Sequence, residues 1–301
     1  MSFTSDTATE AFATQYKKEN KKACCKRAFV LGMCLGAKAT EGKRELRLSF
    51  RESSLADSAA EILNTVFHAK ATVSEEKIVG RSYHTVSFFS FGIWDFLKAV
   101  DASTKAKEAA GYTDGCCESA FLRGIFVGCG SLTDPQKSYH LELTFPNAAR
   151  ADSVGEILTR RFGTPGKIAR GQRTSLYYKG NVTICNFIYA IGCSHAGYAI
   201  DNTYIEKHIR NAENRATNCV ARNISRSIDA AREHITAIEK LQNSGKIDTL
   251  PDELRYTARL RIENESATLT ELALMHEPPL TKSGLNGRLK RLLKAANEEE
   301  D

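Results

Sequence analysis

Hydrophobic positions in the first two hundred residues follow one pattern that occurs twice. Each copy opens with apolar and glycine positions spaced for one face of a helix. These positions are Phe29, Gly32, Met33 and Gly36 in the first copy and Phe121, Gly124, Ile125 and Gly128 in the second. Glycine inside a helix costs about 1 kcal/mol relative to alanine, whereas paired small residues let two helix backbones approach closely. We therefore expect the two helices to pack against each other along a pseudo-two-fold axis.

Strands and a further helix are predicted after each of these opening helices. Alternating apolar and polar residues, or stretches rich in β-branched and aromatic residues, predict strands at 45–50, 85–91, 140–145 and 182–189. Apolar positions at helical spacing predict amphipathic helices at 55–67 and 151–162. The resulting order, αββαββ, predicts an α+β fold for this part of the chain.

Residue identities support the duplication. The run from Cys24-Cys25 to Gly32 returns as the run from Cys116-Cys117 to Gly124, and Ala56-Asp57-Ser58 returns as Ala151-Asp152-Ser153. We predict one duplicated domain over residues 1–201, with repeats at about 20–110 and 112–200. A pseudo-two-fold surface suits a ligand that is itself nearly two-fold, and duplex DNA is the commonest such ligand.

The glycine-containing helix and the element order resemble the LAGLIDADG homing endonuclease fold. Segments 30–38 and 122–130 keep the internal glycine of that family's helix. In the nucleases the penultimate motif position is a carboxylate that holds a divalent metal, but here Ala37 and Cys129 stand there. Neither is the hard oxygen ligand that Mg²⁺ requires, and the nearby Glu41 and Asp134 are not at matching repeat positions. We expect a nuclease scaffold with no catalytic residues and no metal.

The distribution of charge points to a polyanionic partner. A length of 301 residues allows two domains, and the net charge of +6 permits an anionic partner without requiring one. Two basic runs, 157–200 and 278–297, contain no acidic residue. The first run supplies the candidate contacts to a DNA backbone, Arg160, Arg161, Lys167, Arg170, Arg173 and Lys179. The alternatives are a solvated basic face, or a first domain that has become a protein-contact or dimerisation module.

Cysteine usage and hydropathy indicate an ordinary cytoplasmic protein. The start of the chain is polar, and the longest apolar stretch, 28–37, is shorter than the ~20 residues that span a bilayer. Nine cysteines include two adjacent pairs and no C-x-x-C motif. Adjacent cysteines do not readily chelate one zinc ion, so we expect free, mostly buried thiols and no cofactor.

A second domain is predicted over residues 202–301, because segment 192–202 is rich in Gly, Ser, His and Asn. Segment 205–242 is polar and alanine-rich, which predicts one or two exposed connecting helices. The next helix begins near Leu250 and carries Pro251 at an early position, where its missing N–H is harmless.

The last thirty residues predict a helix-turn-helix over about 268–297. Thr268 and Glu271 have capping-box spacing, Pro278 and Pro279 end that short helix, and Thr281 begins the next. The second helix has an apolar stripe, formed by Leu285, Leu289, Leu292 and Leu293. Its candidate DNA-binding residues are Lys282, Ser283, Asn286, Arg288, Lys290 and Arg291. Asparagine and lysine can read base edges and the arginines can hold phosphates; the alternative is a surface helix with basic side chains.

The whole chain resembles the WhiA family of bacterial sporulation and cell-division regulators. The double cysteines, segment 215–219 and the run from Pro278 to Arg288 carry this resemblance. It implies an all-α helix-turn-helix domain after the LAGLIDADG-like domain, and a non-enzymatic, nucleoid-associated transcription regulator acting in division, chromosome segregation or sporulation. The implied partners are promoter DNA and, beside it, other transcription regulators or RNA polymerase, but no membrane. An active endonuclease and a protein-interaction adaptor in division remain alternatives.

Overall fold

A computed structural model describes residues 2–16, 22–40, 44–78, 80–102, 105–112 and 115–298. The chain divides into two compact units, Met1–Lys207 and His208–Asp301. The division lies inside helix α9 (Ser194–Asn243), a single helix of 50 residues that also contains the sequence boundary at 201/202. Segment 192–202 is therefore largely helical rather than a loop between domains.

The first unit contains two repeats, each with its own four-stranded antiparallel sheet. After α1 (Phe3–Gln15), the first repeat consists of α2 (Ala23–Cys34), β1 (Lys38–Ala39), β2 (Leu46–Phe50), α3 (Ser53–Phe67), β3 (Thr72–Ile78), β4 (Arg81–Phe88), α4 (Phe91–Asp101) and α5 (Ala106–Ala110). The second consists of α6 (Cys116–Cys129), β5 (Gly130–Leu132), β6 (Leu141–Phe145), α7 (Ala148–Phe162), β7 (Gly166–Arg170), β8 (Arg173–Tyr178) and α8 (Asn181–Ala190). The strand orders match, β1-β2-β4-β3 and β5-β6-β8-β7, which confirms the predicted αββαββ repeat.

Helices α2 and α6 pack backbone to backbone, as the glycine spacing predicts. A methyl group on Gly124 would lie 1.9 Å from the carbonyl oxygen of Phe29, and one on Gly32 would lie 2.1 Å from that of Phe121. One helical turn later, a methyl group on Gly36 would lie 2.4 Å from the carbonyl oxygen of Gly128. The contacts are reciprocal between the repeats, so the helix pair lies on a pseudo-two-fold axis. Any side chain at these positions would force the helices apart.

The strands bury one face, as their alternation predicts. The core faces carry Leu46, Leu48 and Phe50 in β2 and Leu141, Leu143 and Phe145 in β6, all nearly inaccessible to solvent. The opposite faces carry small hydroxyl residues at matching positions: Ser49 hydrogen bonds with Thr85 in the first sheet, and Thr144 with Ser175 in the second.

The prediction of a strand at 182–189 is wrong, because this segment is helix α8. Its β-branched and aromatic residues favour a strand locally, but Ile184, Phe187 and Ile188 are spaced for one helix face and are buried. Packing of that face overrides the local preference. The last strand of the second repeat is instead β8, and β4 ends at Phe88, before the Phe91 at which the strand prediction ended.

The second unit is all helical and has its own core. After α9 come a short 3₁₀ turn (Lys246–Thr249), α10 (Asp252–Glu263), α11 (Leu269–Leu274) and α12 (Lys282–Asn297). The core consists mainly of Ile238, Leu241, Leu254, Ala258, Leu272, Leu285, Leu289 and Leu292. Within the residues that the structure describes, none of the helices has both the length and the apolar character that a membrane span needs.

Candidate nucleic-acid interface

The first helix of the helix-turn-helix, α11, is fixed at its start by a capping box. The Thr268 hydroxyl accepts a hydrogen bond from the Glu271 backbone N–H at 3.3 Å, and the Glu271 carboxylate accepts one from the Thr268 backbone N–H at 2.8 Å. These hydrogen bonds with Thr268 hold the pKa of Glu271 below its usual value. The predicted capping box is thus confirmed.

The turn and the start of α12 are held by two further hydrogen bonds. The Leu280 N–H donates to the Ala273 carbonyl at 2.9 Å, which ties the turn back to α11. The Thr281 hydroxyl accepts from the Gly284 N–H at 3.1 Å, so Thr281 caps α12 as predicted. Because Leu285 and Leu289 are fully buried, the rotation of α12 about its axis is fixed.

That rotation turns one flank of α12 to solvent. Lys282, Asn286 and Lys290 follow one another at intervals of four residues and therefore lie along this flank. Lys282 and Lys290 are exposed, as is Ser283, and Asn286 is half-buried. We refer to Lys282, Ser283, Asn286 and Lys290 as the open flank. It combines two cationic side chains with two that both donate and accept hydrogen bonds.

Arg288 and Arg291 lie on the other flank of α12, beside α10. Both guanidinium groups pair with Glu253, at 3.4 Å for Arg288 and 2.6 Å for Arg291. The six candidate residues of this helix are therefore divided into two groups. The sequence spacing alone did not indicate this division, because Glu253 lies more than thirty residues earlier in the chain.

A cationic cleft of about 720 Å³ adjoins the start of α12. Arg226, His234, Arg261 and Lys282 line it. Arg261 is buried and donates to the carbonyl groups of Ala267 at 2.9 Å and Glu265 at 2.6 Å. Burial, followed by the charge of Arg261, lowers the pKa of His234. Sequence reasoning missed Arg226 and Arg261, because their helices carry acids and bases in mixture and no basic run marks them.

The six basic candidates of the first unit do not form one surface. Arg160 and Arg161 lie at the end of α7 and both pair with Glu118 of α6, the latter at 3.3 Å. Lys167 pairs with Asp152 of α7. These three cations therefore lie on the helix side of the second sheet, because α6 and α7 cover that side.

Arg170 and Arg173 are directly opposite each other on β7 and β8. Arg170 also pairs with Glu142 at 3.8 Å. Burial opposes ionisation of Glu142, but hydrogen bonds with Ser175 and His140 and the charge of Arg170 together lower its pKa. Lys179, just after β8, lies over the ring of Tyr177 at 5.3 Å. Of the six candidates, the structure brings Arg170 and Arg173 together.

The ends of α2 and α6 carry a cation instead of carboxylates. Ala37 is fully buried, and its carbonyl oxygen accepts a hydrogen bond from Arg150 at 2.7 Å. Arg150 is itself buried and forms two hydrogen bonds with Asp101, at 2.8 and 2.9 Å. The thiol of Cys129 donates to the Ile125 carbonyl at 3.2 Å, and burial raises its pKa. Glu41 lies outside the described residues, and the Asp134 carboxylate accepts the Gln136 N–H in a local turn.

Two family models match the chain. The WhiA LAGLIDADG-like domain matches residues 118–210, and the WhiA C-terminal HTH domain matches residues 214–296. Among similar proteins, a probable cell division protein WhiA of Caldicellulosiruptor saccharolyticus is 32% identical over an alignment that covers 99% of this chain and 95% of that protein. The protein of the same name from Caldicellulosiruptor bescii is 31% identical, with the same coverage of both chains.

The fold also resembles that of a crystal structure. Full-length DUF199/WhiA from Thermatoga maritima superposes with a TM-score of 0.59 at 22% identity, covering 100% of this chain and 99% of that one. The similarity extends over both units and supports the same order of a duplicated α+β unit and a helical unit.

Proposed function

Because the chain belongs to the WhiA family, we propose that it is a sequence-specific DNA-binding transcription regulator without nuclease activity. The observation that carries this proposal is the open flank of α12, which follows a capped helix-turn-helix and presents Lys282, Asn286 and Lys290 to solvent. The name of the relatives, probable cell division protein, supports a role in division, chromosome segregation or sporulation. Promoter DNA in the cytoplasmic nucleoid is then the partner, together with other regulators or RNA polymerase.

The N-terminal residues of α12 are the ones that read bases. In a helix-turn-helix the second helix enters the major groove with its N-terminal side chains at the base edges. Asn286 can pair bidentately with adenine, and Lys282 can donate to guanine. Ser283 and Lys290 lie on the same flank and contact the phosphates on either side of the groove.

The arginines and the cationic cleft strengthen this interface without reading sequence. Arg288 and Arg291 reach phosphates by exchanging Glu253 for the DNA backbone, since both form ion pairs at the surface. Arg226 lies in the cleft beside Lys282 and adds positive charge near the same strand. In the first unit, the pair Arg170 and Arg173 gives the second sheet a weaker backbone contact.

Absence of nuclease activity follows from the chemistry at the end of the paired helices. A divalent cation there needs oxygen ligands from both repeats, and Ala37 and Cys129 supply none from their side chains. The buried guanidinium of Arg150 lies beside Ala37 and repels a second cation at short range.

Specificity is tested by Asn286→Ala in the full chain. A preferred site is first selected from random duplexes, and affinity for that site is compared with affinity for random DNA. We expect a cost of about 1 to 3 kcal/mol on the preferred site and a much smaller one on random DNA. Asn297→Ala is the matched control, because Asn297 is exposed near the opposite end of α12. Equal losses on both DNAs would remove Asn286 from base recognition, and nicking of DNA in Mg²⁺ or Mn²⁺ would contradict the non-enzymatic assignment.

A further inference from the structure

Three cysteine thiols from the two repeats meet at the start of the paired helices. Cys24 and Cys25 lie in the first turn of α2, and Cys117 lies in the first turn of α6. Their three Sγ atoms are all within 4.8 Å of one another. The sequence argument against a metal considered each adjacent pair by itself. Pairing of α2 with α6 places thiols from both repeats side by side, and that argument no longer applies.

We propose that Cys24, Cys25 and Cys117 bind one thiophilic d¹⁰ cation, Zn²⁺ or Cu⁺. A Zn–S bond of about 2.3 Å implies sulfur atoms roughly 3.8 Å apart in a tetrahedral site. The observed limit of 4.8 Å is close enough for small rotations about the Cα–Cβ bonds to complete the geometry. Thiolates select Zn²⁺ and Cu⁺ over hard cations such as Mg²⁺. Three sulfur ligands fill a trigonal Cu⁺ site, or three of the four positions around Zn²⁺.

The charges around the cluster favour bound thiolates. The first turns of α2 and α6 both carry the positive end of a helix dipole, which stabilises negative charge beside it. Arg123 of α6 is buried and interacts electrostatically with Cys25. Three thiolates with one Zn²⁺ carry a net negative charge, and these groups offset it.

Exposure of the cluster allows a metal ion to enter. Cys25 and Cys117 are buried, whereas Cys24 is exposed. The ion can therefore exchange with solvent through Cys24 while the two buried sulfurs hold it. Within the described ranges this is the one group of three or more Cys, His, Asp or Glu side chains placed to share an ion.

A metal at this position joins the two repeats. Its ligands come from α2 and α6, so binding requires the folded helix pair and stabilises it by mass action. The effect belongs to the first unit, and its test is independent of DNA binding by α12.

The test is a metal titration of the reduced full-length chain under anaerobic conditions. Zn²⁺ and Cu⁺ are titrated separately in competition with a chromophoric chelator for each, and Co²⁺ in place of Zn²⁺ reports thiolate ligands through its charge-transfer absorption. We expect one ion per chain and a rise in Tm of about 5 °C or more at saturating metal. Preference between the two ions distinguishes a tetrahedral site from a trigonal one.

Variants then assign the ligands. Cys24→Ser changes an exposed side chain and leaves the core intact, and Cys117→Ser removes the sulfur of the second repeat. Both are expected to weaken binding at least about 100-fold, because even changes behind the ligands cost 10–100-fold. Cys219→Ser, at an exposed cysteine of α9, is the matched control and should bind as the wild type does. Wild-type protein that binds neither ion, or Cys24→Ser protein that binds as tightly as the wild type, would overturn the proposal.

Discussion

Individual glycines set how closely the two repeats approach. A methyl group on Gly124 of α6 would lie 1.9 Å from the carbonyl oxygen of Phe29, whereas one on Gly155 of α7 would meet only the Leu176 side chain, at 3.7 Å. Both glycines lie inside helices, so the intrinsic preference for alanine is the same at the two positions. The difference between them is therefore a difference in packing.

We predict that Gly124→Ala destabilises the first unit by about 3 kcal/mol or more, because the backbones of α2 and α6 must separate. Gly155→Ala is the control and should be neutral or stabilise by up to about 1 kcal/mol. Urea denaturation of both variants measures the change. A Gly124→Ala protein as stable as the wild type would show that the two helices are not in backbone contact.

Arg150 is the second residue on which the first unit depends. Burial raises the pKa of Asp101, but hydrogen bonds from Arg150 and Asn147 and the charge of Arg150 outweigh it and hold that pKa below its usual value. A carboxyl group with a depressed folded-state pKa stabilises the fold above its unfolded pKa of about 3.9. This contribution is lost as the pH falls through the folded-state pKa.

We predict that Arg150→Met costs about 2 kcal/mol at neutral pH, less than for a fully buried pair because Asp101 is 36% exposed. The difference from the wild type should narrow as the pH falls below about 4. Lys105→Met, which breaks the exposed pair with Glu156, is the control and should have little effect at any pH. Free energies of unfolding across this pH range test the prediction, and a difference that does not depend on pH would contradict it.

Sequence patterns predicted the glycine contact but not the role of Arg150. The glycine positions are repeated at helical spacing, so they are visible within each copy. The partners of Arg150, Ala37 and Asp101, lie far from it in the chain and belong to no repeated motif. A contact that depends on how elements come together leaves no local signal.

At the scale of elements, the two flanks of α12 have different surroundings. The open flank faces solvent, and the flank with Arg288 and Arg291 faces Glu253 of α10. One carboxylate thus partly neutralises two cations beside the proposed DNA-binding surface. Its removal separates the charge of these arginines from their position.

We predict that Glu253→Gln increases affinity for random duplex DNA and makes the dependence on salt steeper, because Arg288 and Arg291 become available to phosphates. Glu263→Gln, on the same helix and paired with Arg259 at 3.8 Å, makes the same change of charge and should alter binding less. Stability should change by less than about 1 kcal/mol in both, since the ion pairs are at the surface. Equal effects of the two variants would mean that only net charge matters.

The strongest element predictions came from periodicity, and the main error came from composition. The apolar stripe of α12 and the alternation in β2 and β6 are strict, so each fixes both the type of element and its buried face. Segment 182–189 was assigned from its β-branched and aromatic content. Its neighbour in the other repeat, 91–101, is the helix α4, and comparison of the repeats at this point would have indicated a helix.

At the scale of the whole molecule, the chain combines a duplicated α+β unit with a helical unit that carries the proposed DNA-binding helix. The order of the two units was predictable, because repetition ends and helical periodicity begins in the same region. Their division within α9 was not, because a segment rich in Gly and Ser is typical of a loop. The proposal assigns sequence recognition to α12 and at most weak backbone contact to the first unit.

The central claim is that the open flank of α12 binds DNA, and the most direct measurement is the salt dependence of duplex binding by the full chain. Lys282→Ala combined with Lys290→Ala should weaken binding and reduce the slope of log K against log salt by about 1.8, or 0.9 for each lost phosphate contact. Arg255→Ala combined with Arg259→Ala removes the same charge from α10 and should leave the slope nearly unchanged. An unchanged slope in the lysine variant, or equal reductions in both, would contradict the account.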